Sequence, residues 1–489
     1  MRRWLAFVLI SVLGFGQQKH GILSNEAKTA RLMEQLRADP QRLHEFLKEM
    51  PKGGDLHNHL SGAVYAESYM QWAADEGDCI DAQALSIIKP LKPDECVAGQ
   101  VTAKSALTNP KLYGDLLGAM SMYQWLPEKW HDTGHDHFFN AFPKFATVSK
   151  MHWGEMLKEV TGRAAEQHEI YMELILGIDR NEAGAYGEKI EWSEADFAAD
   201  YERLLQSGLK DLVPRMRKSL DEAEKQRLDT QGCKEVAQHG CDITVRYEYE
   251  VYRGAAPAHV FAQMLAGFEL ASQDPRVVTV NLVQPEDWYV SEHDYRLHMR
   301  MVEFFHTKYP KVRIALHAGE IAPGLVPDEV LCCHIREAIE TGHAGRIGHG
   351  ADIMYENDPD ALLHEMASKH IPVEINLTSN RVILGVSGTM HPLRGYLRAG
   401  VPVVLCTDDE GVARSDMTNE LMQAVLDQVM TYHELKQAER NSIQYSFADE
   451  KTKKKLMEKL EANFVQFERV EADRQARNSK REPGTQLPN

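Results

Sequence analysis

Short apolar runs alternate with longer amphipathic stretches along most of this chain. The runs at residues 55–60, 170–176, 243–251, 277–283, 312–316, 346–348, 372–377 and 402–406 read as strands. Between most of them, apolar positions recur with helical spacing, over 258–272, 295–309, 330–341 and 358–370. Alternation of strands with helices implies a parallel sheet. Eight such units predict an α/β fold of the closed (β/α)8 TIM-barrel type.

The flanks carry a different pattern. Residues 17–50 are polar with helical spacing at Ala30, Leu32, Met33, Leu36, Leu43, Phe46 and Leu47, and predict an N-terminal helical extension. The break Pro51-Lys52-Gly53-Gly54 ends it and launches the barrel, expected over 51–468. Residues from about 72 to 135 are irregular and read as a loop insertion after the first strand. Past residue 409, helices are expected over 417–434 and 449–470, and 469–489, rich in charge, Pro and Gly, reads as a flexible tail. At the other end, Arg2 and Arg3 precede an apolar stretch from Trp4 to Leu13, then Gly14-Phe15-Gly16. That is the layout of a secretory signal peptide covering 1–16. The expectation is an exported protein, periplasmic or secreted, with no stable membrane association after signal cleavage.

Charge narrows the partners. A formal net charge of −18 argues against a nucleic-acid backbone as partner, since a binding surface needs clustered Lys and Arg. The seven cysteines form no C-x-x-C pair, so a Cys-rich zinc knuckle is excluded. Cys79 with Cys96, and Cys233 with Cys241, are either bridges in an oxidising compartment or free buried thiols. Cys406 lies in an apolar run and reads as core.

The chemistry sits at the strand ends, where barrel active sites form. His57 and His59, two apart on a strand, point to one face. His317 ends another strand, with Glu320 three residues on beyond Gly319. His349 lies between Gly348 and Gly350, which suggests close approach of other groups, and Asp408-Asp409 follow the last strand. Three histidines and a carboxylate form a ligand set for one divalent metal, leaving Glu320, His349 and Asp409 for proton transfer and orientation. No Lys ends a middle strand, which argues against a two-metal site bridged by a carboxylated Lys. A second H-x-H pair, His135 and His137, has no strand before it and reads as surface or lid residues in a loop-like stretch.

The ordered motifs Met50-Pro51-Lys52, Leu56-His57-Asn58-His59-Leu60-Ser61-Gly62-Ala63, His317-Ala318-Gly319-Glu320, Arg346-Ile347-Gly348-His349-Gly350, Thr378-Ser379-Asn380 and Thr407-Asp408-Asp409 resemble the adenosine deaminase family. The leader and insertion look like its secreted, growth-factor-related branch. The resemblance implies one Zn²⁺ per chain held by His57, His59, His317 and Asp408. It implies Glu320 as the acid that protonates the purine ring, with His349 and Asp409 orienting water and taking its proton. The implied substrate is a purine nucleoside, most simply adenosine, which Ser61, Gln284 and Asp409 would contact. Two positions depart from the family pattern: Ser61 stands where an acid usually grips the ribose, and Gln284 where a Gly usually touches the purine. Ile175 also stands about where the family often has Arg.

Two other readings compete. One is a mononuclear metal hydrolase of the wider amidohydrolase group acting on another amino-heterocycle or an amide. The other is an exported non-catalytic binding protein, against which the intact set of Glu320, His349 and Asp408 counts. Oligomeric state is not legible in the sequence.

Overall fold

The computed structural model describes residues 23–234 and 240–481, so the segment read as a signal peptide lies outside the described residues. Eight strands carry the fold: β1 Gly54–His59, β2 Tyr171–Leu176, β3 Thr244–Tyr252, β4 Val277–Val283, β5 Arg313–Ala318, β6 Arg346–His349, β7 Val373–Ile375 and β8 Val403–Leu405. Each pairs in parallel with the next in chain order. The seam between first and last is closed just beyond β8. There the Asp408 amide donates to His57 O at 2.9 Å and the His59 amide to Asp408 O at 3.0 Å. The predicted barrel is present, and three expected metal ligands form its closing stitch.

Inside the barrel an ionic cluster replaces part of the usual apolar filling. Arg346 on β6 is fully buried, with Nη2 2.7 Å from Glu173 on β2 and 2.6 Å from Glu248 on β3; its Nε bonds Glu374 on β7. Charges taken out of water this way persist only when each is paired and hydrogen-bonded. Glu173 and Glu374 interrupt apolar strands and Glu248 shares its strand with Arg246 and Glu250, so strand pattern alone predicted the elements but not their ionic centre.

The N-terminal extension forms two helices, Asn25–Leu36 and Pro40–Glu49. Asp39 caps the second by accepting from the Arg42 amide, and Pro40 takes the first turn, where no backbone donor is needed. The segment read as irregular holds an antiparallel sheet of Cys79–Asp81, Ser86–Ile88 and Gln100–Thr102, then several helices. A Cys79–Cys96 disulfide closes it across 17 residues, worth about 3 kcal/mol in the chain-entropy picture. Cys233–Cys241 and the adjacent Cys332–Cys333 are also bridged, and Cys406 is buried and free.

Two helix expectations need correction. The stretch 417–434 is split into Met417–Leu426 and Tyr432–Gln444, because Thr431 and Glu434 form a capping box that starts a new helix. The last helix runs from Glu450 to Arg481, past the 470 expected and into the stretch read as a tail. Ala472 is buried there, and the Gln475 amide donates to Lys28 O on the first helix, so packing on the N-terminal extension holds a stretch whose composition reads as loose. Among the described residues no helix is long and apolar enough to cross a membrane.

Candidate active site

The strand ends at the C-terminal face bring together four side chains far apart in sequence. His57 Nε2 lies 3.0 Å from His317 Nε2, and His59 Nε2 lies 3.2 Å from the same atom. Asp408 Oδ1 completes the group at 3.6 Å from His57 Nε2 and 3.4 Å from His59 Nε2. All four ligand atoms fall within 4.8 Å of one another, a set that can hold a metal ion.

The rings are fixed from behind. His57 Nδ1 is 2.8 Å from Glu374 Oε2, and His317 Nδ1 is 2.8 Å from Asn281 Oδ1, which also accepts the His317 amide. Holding Nδ1 as the donor leaves each Nε2 lone pair aimed at the centre, which is how ligand histidines are usually oriented. Three Nε2 atoms face one another with no donor hydrogen required between them, so the set fits a cation. Close packing needs glycine here: a Cβ on Gly348 would come within 2.7 Å of the His57 ring, and one on Gly62 within 1.5 Å of Asp409 Oδ1. The close approach inferred from the glycines beside His349 is made at both, by the His57 ring at Gly348 and by the Tyr396 hydroxyl at Gly350, where a Cβ would come within 2.4 Å.

The remaining expected groups flank the cluster. His349 Nδ1 is 3.6 Å from Glu320 Oε1, and its Nε2 is 3.9 Å from Asp408 Oδ2. Burial, reinforced by the negative charges of Asp408 and Glu286, pushes the Glu320 carboxyl well above the usual carboxylate range. Burial and the neighbouring Asp408 do the same for Asp409, whose Oδ1 has no hydrogen-bond partner. Asp408 and His349 both adopt left-handed backbone, with φ of 60° and 66°. Non-glycine residues held in that region cluster at functional sites.

A cavity of about 490 Å³ leads outward from this cluster. Ser61, Gln284, Glu320 and Asp409 line it with His59, His317 and Asp408. Gln284 has a φ of 81°, the backbone region glycine favours, and its Oε1 accepts from the Gly254 amide at 2.8 Å. Its Nε2 has no partner among the described residues.

The second histidine pair is not where the sequence suggested. His135 and His137 sit near the start of the helix Gly134–Ser149, not in a loop, and both are buried. His135 Nε2 is 3.1 Å from Asp287, and His137 pairs with Asp132 and with Gly118 O. Thr133 caps this helix by accepting the Asp136 amide, a signal obscured by Pro143 inside it.

Several residues of the site had no reading in sequence. Glu286 accepts the Gly319 amide at 3.1 Å and the Glu320 amide at 2.8 Å while bonding His334, so it holds the turn that carries Glu320. Burial acts to raise its carboxyl, but the His334 bond and nearby positive charge outweigh it and hold the group at about 2. Glu374 and Asn281 went unread too. Their only signal was a polar residue within an apolar strand.

Residues 215–463, slightly more than half of the chain, match the family model for adenosine deaminase. An adenosine deaminase of Yersinia pseudotuberculosis is 33% identical over 150 residues, covering 30% of this chain and 42% of that protein. The chain thus spans under half the length of the curated relatives it matches. Among solved structures, an adenine deaminase from Arthrobacter aurescens covers 84% of this chain and 98% of its own, at 17% identity and a TM-score of 0.54. A Burkholderia ambifaria amidohydrolase with bound Zn covers 88% and 95%, at 17% identity and a TM-score of 0.55. The N6-methyl-AMP deaminase of Arabidopsis thaliana covers 86% and 98%, at 19% identity and a TM-score of 0.54. At such identities these structures share the barrel fold with this chain.

Proposed function

The chain belongs to the adenosine deaminase family, and from that premise we propose that it is a zinc-dependent hydrolase that deaminates a 6-aminopurine nucleoside, adenosine to inosine and ammonia. One observation carries the reading: four convergent ligand atoms with Glu320 and Asp409 facing the same cavity.

The donor set suits the metal. Three neutral imidazole nitrogens and one carboxylate, His57, His59, His317 and Asp408, match the ligands zinc takes, and Glu374 and Asn281 fix two of the rings. When bound, zinc acts as a Lewis acid that lowers the pKa of water toward neutrality.

This chain's residues then do the following. Glu320, kept protonated by burial and the Asp408 charge, donates its proton to the ring nitrogen beside C6. His349, 3.6 Å from Glu320 and 3.9 Å from Asp408, orients the attacking water. Asp409 holds that water through its unpartnered Oδ1, and His349, kept neutral because burial lowers it to about 4, takes the water's proton and passes it to the departing amine. Water oxygen bonds to C6, the bond from C6 to the amino nitrogen breaks, ammonia leaves, and the proton remaining on the C6 oxygen returns to Glu320 as the carbonyl forms. Ser61 and the free Nε2 of Gln284 face the purine and sugar as hydrogen-bonding groups.

The name of the Yersinia relatives supports adenosine, and the Zn-bearing neighbour supports the metal. Export, expected from residues 1–16, has support from the Cys79–Cys96 and Cys233–Cys241 bridges, which persist in oxidising compartments. The test is ammonia release by zinc-loaded protein from adenosine, adenine, AMP and an unrelated aminopyrimidine. Release confined to 6-aminopurines is expected. No release from any of them, or release from the pyrimidine alone, overturns the reading.

A further inference from the structure

The two ends of the cavity differ in charge. The inner end is closed by buried ligands and carboxylates, and the outer end opens at Lys150 and Arg180, both exposed. In a chain of net charge −18, these two cations are unengaged by acids. Arg180 makes no ion pair among the described residues; its guanidinium lies over the Trp153 ring, 4.7 Å from the centroid. The Lys150 ammonium has neither an ion pair nor a hydrogen bond among them.

Arg180 is also built in. It and Asn181 adopt left-handed backbone, with φ of 55° and 66°, in the loop that follows β2. The buried Asp179 carboxylate fixes that turn, accepting the Asn181 amide at 3.2 Å and the Ala183 amide at 2.8 Å. Asn181 Oδ1 is tied in turn by the Gln263 amide at 2.6 Å. The turn and the Trp153 ring together hold an unpaired guanidinium at the cavity mouth.

We propose that Arg180 and Lys150 form a subsite for a phosphate, and that the substrate is a 6-aminopurine nucleoside monophosphate. The proposal rests on the deaminase reading and refines its substrate class. An Arg fork matches phosphate oxygens in a bidentate way, and Lys adds a point charge. The neutral Ser61 lines the same cavity, where an acid would add a negative charge and repel a phosphate. Three acids near the mouth bear on it. Glu250 lines the cavity, and burial and Asp179 push it up to about 7, which weakens its repulsion. Glu188 is engaged by His259 at 3.4 Å and Glu182 by Arg215 at 2.9 Å.

The test compares IMP with inosine by calorimetry on zinc-loaded protein, at low and high ionic strength. Tighter binding of IMP by about tenfold is expected, narrowing as salt screens the exposed cations. The ratio should fall toward one in Arg180→Gln and in Lys150→Gln together with it, and should also fall in Ser61→Asp. Equal or weaker binding of IMP by the wild-type protein, or a ratio that survives both outer substitutions, overturns the proposal. The wild-type ratio and its salt dependence decide the matter even where a variant misfolds. If adenosine releases ammonia while the ratio is one, the phosphate subsite fails alone. If the Arg180-dependent ratio holds while no 6-aminopurine releases ammonia, the deaminase reading fails and the subsite remains.

Discussion

The inner and outer halves of one cavity are built on different principles. At the inner end, His57 and His317 are each tied by a second buried group, and the acid Glu320 sits on a turn held by Glu286. At the outer end, Gln284 has one backbone tether, while Lys150 and Arg180 project unpaired into solvent. On the proposed reading, the groups that would hold a cation and a proton are tied by several buried partners, while those that would meet the substrate have fewer. Chemistry and specificity are therefore separable by mutation in this molecule.

The largest effect is expected from His317→Ala, which removes the nitrogen nearest to both other imidazoles. Metal retention through desalting and ammonia release should be lost together, read by elemental analysis and assay. Glu320→Gln should divide the two: metal stays, and turnover falls by about 10²–10⁴-fold. Glu374→Gln tests the support behind His57 and should weaken metal affinity by about 10–100-fold without removing a ligand, measured by chelator competition.

A stability comparison follows from Glu286. Its folded value of about 2 lies below its ordinary 4.5, so its ionised form stabilises the fold above pH 4.5, and that contribution disappears as pH falls from 4.5 toward 2. Glu286→Gln should therefore cost on the order of 2 kcal/mol near neutrality, with the gap to wild type closing across that acid range in thermal melts. The smallest effect belongs to the outer end. Gln284→Gly relieves left-handed backbone worth about 1–2 kcal/mol but loses the Gly254 bond, worth about 1 kcal/mol. Tm should hardly move, while kcat/KM for adenosine rises a few-fold; an unchanged constant would mean that Gln284 does not crowd the purine.

Legibility in the sequence follows the same division. The barrel was readable because strands at the centre of a parallel sheet are apolar runs, and His57, His59, His317 and Asp408 were readable because they end such runs. Glu374, Glu248 and Glu173 were not, since neither a lone charge in an apolar strand (Glu173, Glu374) nor one of three charges in a mixed strand (Glu248) gives a hint that Arg346 from another strand will meet it. His135 and His137 were misplaced because Pro143 disguised a capped helix. The last helix was misjudged because its polar composition conceals packing against the N-terminal extension, a contact between opposite ends of the chain. Arg180 carried no motif at all, and only the fold brings it to the mouth of the cavity whose inner end the His57 cluster closes.

The central claim is that one metal serves the chemistry while Glu320 serves as acid and not as ligand. Zinc titration of metal-free wild-type protein and of Glu320→Gln, followed by calorimetry and by ammonia release, tests it most directly. Both proteins should saturate at one zinc per chain, with activity rising in parallel only in the wild type. Saturation at two zincs, or loss of zinc binding in Glu320→Gln, would contradict it.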